Sequence, residues 1–128
     1  MRHDTLSDVL TAIKNAERNG IKECIVPSSK TAKEILKIMQ KNNYIGSFEF
    51  IDDGKSGKFK VELLGRINNC GSIRPRFYIT KGDFIRWEKR FLPSVSVGIL
   101  FITTSKGIID HRSAKKEGLG GALLGYIY

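Results

Sequence analysis

From Val97 to Ile102 the chain runs VGILFI, six residues with no polar side chain at odd or even positions. Successive side chains of a strand point to opposite faces, so such a strand is buried on both and belongs in the middle of a sheet. It is far too short to cross a bilayer, and nowhere does the chain hold the roughly 18 consecutive apolar residues that a membrane helix needs. The N-terminal segment also lacks the apolar block and cleavage site of a signal peptide.

The other periodicities fix what surrounds that strand. Thr5-Leu-Ser-Asp8 has the capping spacing that opens a helix, and Leu6, Val9, Leu10 and Ile13 follow at helical intervals until Asn19-Gly20. IKECIVP is a short β-branched run closed by Pro27. In SSKTAKEILKIMQKNN the residues Ala32, Ile35, Leu36 and Met39 share one helical face. Its cap is either Ser28, Ser29 or a box formed by Thr31 and Glu34. SFEF and KFKVELL alternate apolar and polar residues about DDGKSG, which predicts a hairpin with one wet face. The first half is therefore α-β-α-β-β. GRINNCGSIRPRF has no clean period and is expected to hold a short strand and a connection. A helix follows with Phe84, Trp87 and Phe91 on one face and Pro93 at its end. Then come the buried strand, a turn at SKG, a short strand IID, about two helical turns in HRSAKKE stopped by Gly118, and a last strand in ALLGYIY. The pattern predicts an α+β fold of two small subdomains, 1–65 and 66–128, the second a mixed sheet with short helices.

Charge divides along the same line. Residues 1–64 hold 11 basic and 9 acidic side chains, net +2, whereas residues 65–128 hold 11 and 4, net +7. A basic field of this kind concentrates polyanions and speeds their capture without specifying which. With only Cys24, Cys70, His3 and His111 available, no zinc-ligand spacing exists. The two cysteines are expected as buried free thiols, the cytoplasm is the simplest compartment, and no cofactor is implied.

Several chemistries fail on spacing. A Walker loop needs G-x-x-x-x-G-K-[ST] between strand and helix; the glycines of DDGKSGKF stand three apart, between antiparallel strands. In TTSKG the lysine precedes the glycine, and GLGG is too short for a dinucleotide fingerprint. Asp110 and His111 are sequence neighbours whose side chains should diverge, a poor geometry for an orienter and a base. Asp110 is more simply a helix cap and His111 a surface or polyanion-facing residue. Ser105 lacks a nucleophile elbow, so no enzyme is expected. The amphipathic EILKIMQKNN face is needed to cover the hairpin, which leaves no membrane-surface helix.

What remains is a polyanion surface at the C-terminal end. Thr103, Thr104 and Ser105 cluster three hydroxyls at the end of the buried strand, and each can both donate and accept to base edges, ribose or phosphate. Lys106 adds charge, and Gly107 removes a side chain that would hold a nucleic acid away. The same spacing also describes a plain hairpin turn with its hydroxyls in water. A basic adaptor acting mainly through protein partners, with RNA association merely electrostatic, is the alternative from another functional class.

TTSKGIIDHRSAKKEGLGGALLGYIY resembles the C-terminal signature [ST]-T-S-x-G-[IV]-[IM]-x-[DH]-x-x-A-x-x-x-x-x-G-G of the small-subunit ribosomal protein S-eight family. The N-terminal DTLSDVLTAIKNA and IVPSSK agree with it, and RPRFYITKGDFIRWEKRFLPS looks like the archaeal and eukaryotic branch. The resemblance implies a primary binder of the central domain of small-subunit ribosomal RNA, a monomer off the ribosome that meets neighbouring ribosomal proteins on it. It implies RNA contacts by Thr103, Thr104, Ser105 and Lys106 with Gly107 allowing approach, by Ser28, Ser29 and Lys30 on the backbone, and close passage at Gly120 and Gly121. Bacterial relatives typically carry an acidic residue after those two glycines where this chain has Ala122, so backbone or hydroxyl groups must replace that carboxylate or the contact is absent.

Overall fold

The computed structural model describes residues 5–52, 54, 57–73, 78–80, 82–93 and 97–128, the side chain of residue 5 excepted. The chain folds as two compact units, 1–70 and 71–128. The RPRF segment, most of the DDGKSG tip and the first residues of VSVG lie outside the described residues, as does the capping geometry expected at Thr5.

The first unit runs α1 (Thr5–Arg18), β1 (Glu23–Pro27), α2 (Lys30–Lys41), β2 (Ile45–Ile51) and β3 (Lys58–Leu63), the order the periodicities predict. Its antiparallel sheet has the order β1-β3-β2. Cys24, Val26, Phe59, Val61 and Leu63 share its buried face, and α1 and α2 cover it with Leu6, Val9, Leu10, Ile13, Ala32, Ile35, Leu36 and Met39. Each large apolar side chain so buried contributes about 1.5–3 kcal/mol, so the amphipathic spacing of the helices decides the layer order. Ser29 is the cap of α2: its hydroxyl accepts from the Ala32 N–H at 3.0 Å. At the other end Asn43 takes φ +63, a conformation that asparagine tolerates, and the chain turns back into β2.

Both cysteines are buried free thiols. Burial pushes the Cys70 thiol up to about 12, and its sulfur donates to the Leu10 carbonyl at 3.3 Å, so it is an inert core group.

The second unit continues with β4 (Cys70–Ser72), β5 (Tyr78–Ile79), α3 (Phe84–Phe91), β6 (Ile99–Thr104), β7 (Gly107–Asp110), α4 (His111–Glu117) and β8 (Gly121–Ile127). Its sheet has the order β4-β8-β6-β7, with β5 also paired to β8. β6 is thus internal, and Ile99, Leu100, Phe101 and Ile102 are all buried, as a strand apolar on both parities requires. Leu100, Ile102 and Leu123 meet Phe84, Trp87 and Leu92 from α3 and its end, together with Ala114 from α4. Gly118 ends α4 in the left-handed conformation, φ +69. Among the described residues four helices and two antiparallel sheets make the α+β fold of two subdomains. Among the described residues no helix is long and apolar enough to cross a membrane.

Candidate nucleic-acid interface

The hydroxyl-rich loop sits where β6 turns into β7. Thr103 pairs with Ile108 and Thr104 with Gly107, leaving Ser105 and Lys106 at the tip. Gly107 has φ +108, which a side chain would resist, and this closes the turn into the returning strand. The loop is therefore carried on the most deeply buried strand of its unit.

Within the loop the polar groups divide their work. The Thr104 hydroxyl accepts from the Lys106 N–H at 3.1 Å and donates to the Gly107 carbonyl at 2.9 Å. Its proton and one lone pair are spent on the turn itself. Ser105 is exposed, and its hydroxyl has no protein partner among the described residues. The Lys106 ammonium lies 3.9 Å from a Glu117 carboxylate oxygen, with both side chains about half exposed. An exposed pair of this kind is worth about 0–1 kcal/mol and gives way readily to a stronger anion. Thr103 is half-buried beside β8, opposite Ala122.

Gly120 and Gly121 have a reason within the protein. A Cβ on Gly120 would come within 2.5 Å of the Ile79 carbonyl oxygen, and one on Gly121 would run into the Thr103 carbonyl oxygen. The two glycines let β8 lie close to β5 and β6, and Gly121 bears directly on the strand that carries the loop. Ala122 is buried between its cross-strand partners Thr103 and Tyr78 and offers no polar side chain.

Ser28, Ser29 and Lys30 belong to the first unit. The Ser28 N–H donates to the Gly57 carbonyl at 3.2 Å, the Ser29 hydroxyl caps α2, and Lys30 is exposed. The Ser29 oxygens take the N–H groups of Ala32 and Lys33, while those of Lys30 and Thr31 have no acceptor within the helix. This end of the helix can accept a phosphate.

Two expectations for the tail need correction. His111 is not at the surface but fully buried, and it faces no polyanion. The Leu100 N–H donates to its Nδ1 at 3.0 Å, which places the ring proton on Nε2, 3.4 Å from a carboxylate oxygen of buried Glu88. Burial, outweighing the attraction of Glu88, lowers the His111 pKa to about 4. Lys115 pairs with the same carboxylate, so one of the tail's cations points inward. Asp110 does occupy the cap position of α4, but its side chain makes no capping hydrogen bond. The Glu88–His111–Lys115 cluster escaped the sequence because its members lie on two helices far apart in the chain. The only local hint is the three-residue spacing of His111 and Ala114, the buried pair of α4. Among the described residues no group of three His, Cys, Asp or Glu side chains could hold a metal.

The family model for ribosomal protein S8 matches residues 4–128. The chain belongs to that family. It is a ribosomal protein of the small subunit, from a family that binds ribosomal RNA in translation and is structural rather than enzymatic.

Proposed function

We propose that this member of the ribosomal protein S8 family binds an irregular, partly unpaired element in the central domain of small-subunit ribosomal RNA and holds it in shape for assembly and translation. The reading extends to a monomer off the ribosome, to contacts with neighbouring ribosomal proteins and to residence in the cytoplasm. The single observation that carries it is the β6–β7 tip. A serine hydroxyl without a partner among the described residues and a weakly held ammonium stand side by side on a turn fixed by Thr104 and Gly107. Specific RNA recognition targets unstacked bases and irregular backbones, and a preorganised hydroxyl next to a cation suits both.

In this reading Ser105 pairs with a base edge or ribose, Lys106 exchanges Glu117 for a phosphate, and Thr103 lends its hydroxyl from near the end of β6. Thr104 acts chiefly by shaping the turn, with one lone pair left for RNA. Gly107, Gly120 and Gly121 keep the surface low. Ser28, Ser29 and Lys30 take a backbone phosphate at the start of α2.

Two substitutions separate recognition from charge. Ser105→Ala is expected to cost about 1–3 kcal/mol of affinity for the irregular RNA while leaving the unfolding midpoint in place, because the hydroxyl is exposed and has no partner among the described residues. Unchanged affinity would remove the serine from the site. Lys106→Ala is expected to reduce the slope of log K against log salt by about one, the signature of one phosphate neutralised. A slope that stays put would leave Lys106 with Glu117.

A further inference from the structure

Beside the start of α2 lies a groove of about 730 Å³, inside the range of about 300–1,000 Å³ typical of small-ligand sites. One wall is helical, from Ser28 to Lys33; the other is aromatic, with Phe48, Phe50 and Phe59. Exposure rises along β2 from buried Ile45 to Phe50, which is 56% exposed.

That exposed ring is held in place. Its cross-strand partner Phe59 is 5% exposed and meets it edge to face, centroids 5.9 Å apart and planes at 72°. Phe48 contacts Phe59 in the same manner at 5.6 Å. On the far side the Phe50 ring occupies the space where a Cβ on Gly57 would stand, so a glycine is needed opposite it. The ring is fixed and still presents apolar surface to the groove.

The charges beside it are of one sign. Lys30 and Lys33, one helical turn apart, are exposed, and neither makes an ion pair among the described residues. The acids of this unit's sheet lie elsewhere: Glu23, Glu49 and Glu62 gather with Lys60 around a depression on its opposite face. A groove that pairs an exposed aromatic ring with two ammonium groups lacking an ion-pair partner among the described residues matches a nucleotide, which offers a flat π-face and a phosphate together. An apolar protein side chain would satisfy the ring and leave the lysines without a counter-charge.

We infer that this groove seats one unpaired base of an RNA strand, stacked on Phe50, with the adjacent phosphates against Lys30 and Lys33. The inference rests on the RNA-binding reading above and adds a base-stacking contact in the first unit, apart from the β6–β7 loop.

The test titrates the full chain with two probes at fixed salt: a central-domain small-subunit RNA fragment and single-stranded octa-adenylate. Phe50→Ala is expected to weaken both by about 5- to 100-fold without altering the salt slope, since stacking releases no counterions. Phe50→Tyr, which keeps the π-face, is expected to stay within about twofold of the parent, whereas Phe50→Leu, which keeps only apolar bulk, should resemble Phe50→Ala. Lys30→Ala and Lys33→Ala should each lower the slope by about one. Thermal unfolding of each variant checks that the sheet survives.

Phe50→Ala within twofold of the parent on both probes would overturn the inference. So would unchanged RNA affinity accompanied by loss of a co-purifying small-subunit protein, which would give the groove to a protein partner. The parent's preference for the fragment over a regular duplex judges the RNA-binding reading separately. A parent that has that preference while Phe50→Ala changes nothing sinks only the stacked base.

Discussion

Gly121→Val is expected to destabilise the second unit by about 3 kcal/mol, near the top of the usual overpacking penalty. The reason is the atom it meets. A Cβ at this position strikes the carbonyl oxygen of Thr103, a backbone group fixed by the β6–β8 ladder, and no side chain can swing aside to relieve it. Because Thr103 begins the hydroxyl run, the strain enters the strand that carries the loop. Trp87 is the chain's single tryptophan and lies in the core of this unit, so its fluorescence during urea unfolding reports the change directly. The expected result is a lower midpoint with an unchanged denaturant slope. Were Gly121 needed only to let RNA approach, the variant would unfold like the parent and lose affinity alone.

Acid is expected to act through His111. Its pKa is about 4 in the folded chain because it is buried, against about 6.5 when exposed. Below pH 6.5 the unfolded chain therefore takes up a proton that the folded chain refuses. Stability from this group is complete above pH 6.5 and is lost as pH falls towards 4. At 1.36 kcal/mol per unit the loss reaches about 2–3 kcal/mol by pH 4.5. Carboxylates add their own acid sensitivity, so the comparison is with His111→Gln, which does not titrate and keeps an acceptor for the Leu100 N–H. Its stability should fall less steeply between pH 6.5 and 4.5, by about that amount. Parallel profiles for the two proteins would mean that His111 already takes up its proton in the folded state.

Much of this molecule is legible in one dimension because its strongest signals are local. The VGILFI run places β6 inside a sheet, the helical spacing of Leu6, Val9, Leu10 and Ile13 fixes α1, and alternation about the DDGKSG turn fixes the β2–β3 hairpin. The cap of α2 is open in sequence between several hydroxyls, and the structure selects Ser29.

The illegible parts are those where two distant segments decide the matter. His111, next to an aspartate in a polar heptapeptide, has every local mark of a surface residue. It is buried because the Leu100 N–H and the Glu88 carboxylate converge on it. Gly120 and Gly121 stand as glycines in any reading, but their crowding partners, the carbonyls of Ile79 and Thr103, belong to other strands. Thr103, Thr104 and Ser105 are visible as three hydroxyls, while the division of labour among them appears only once the turn is built. Thr104 is turned inward on its own loop, and Ser105 is left to face outward. Similarly, alternation puts Phe48 and Phe50 on one face of a strand, but does not tell that the second stays 56% exposed in a groove beside the start of α2.

The most direct test of the account is competition for a central-domain small-subunit RNA fragment by a length-matched regular duplex, at one near-physiological salt concentration. Recognition of unpaired and irregular RNA by a preorganised loop predicts a preference of about a thousandfold or more for the fragment. Equal, salt-sensitive binding to both RNAs would contradict it, leaving a basic surface whose specificity comes from protein partners.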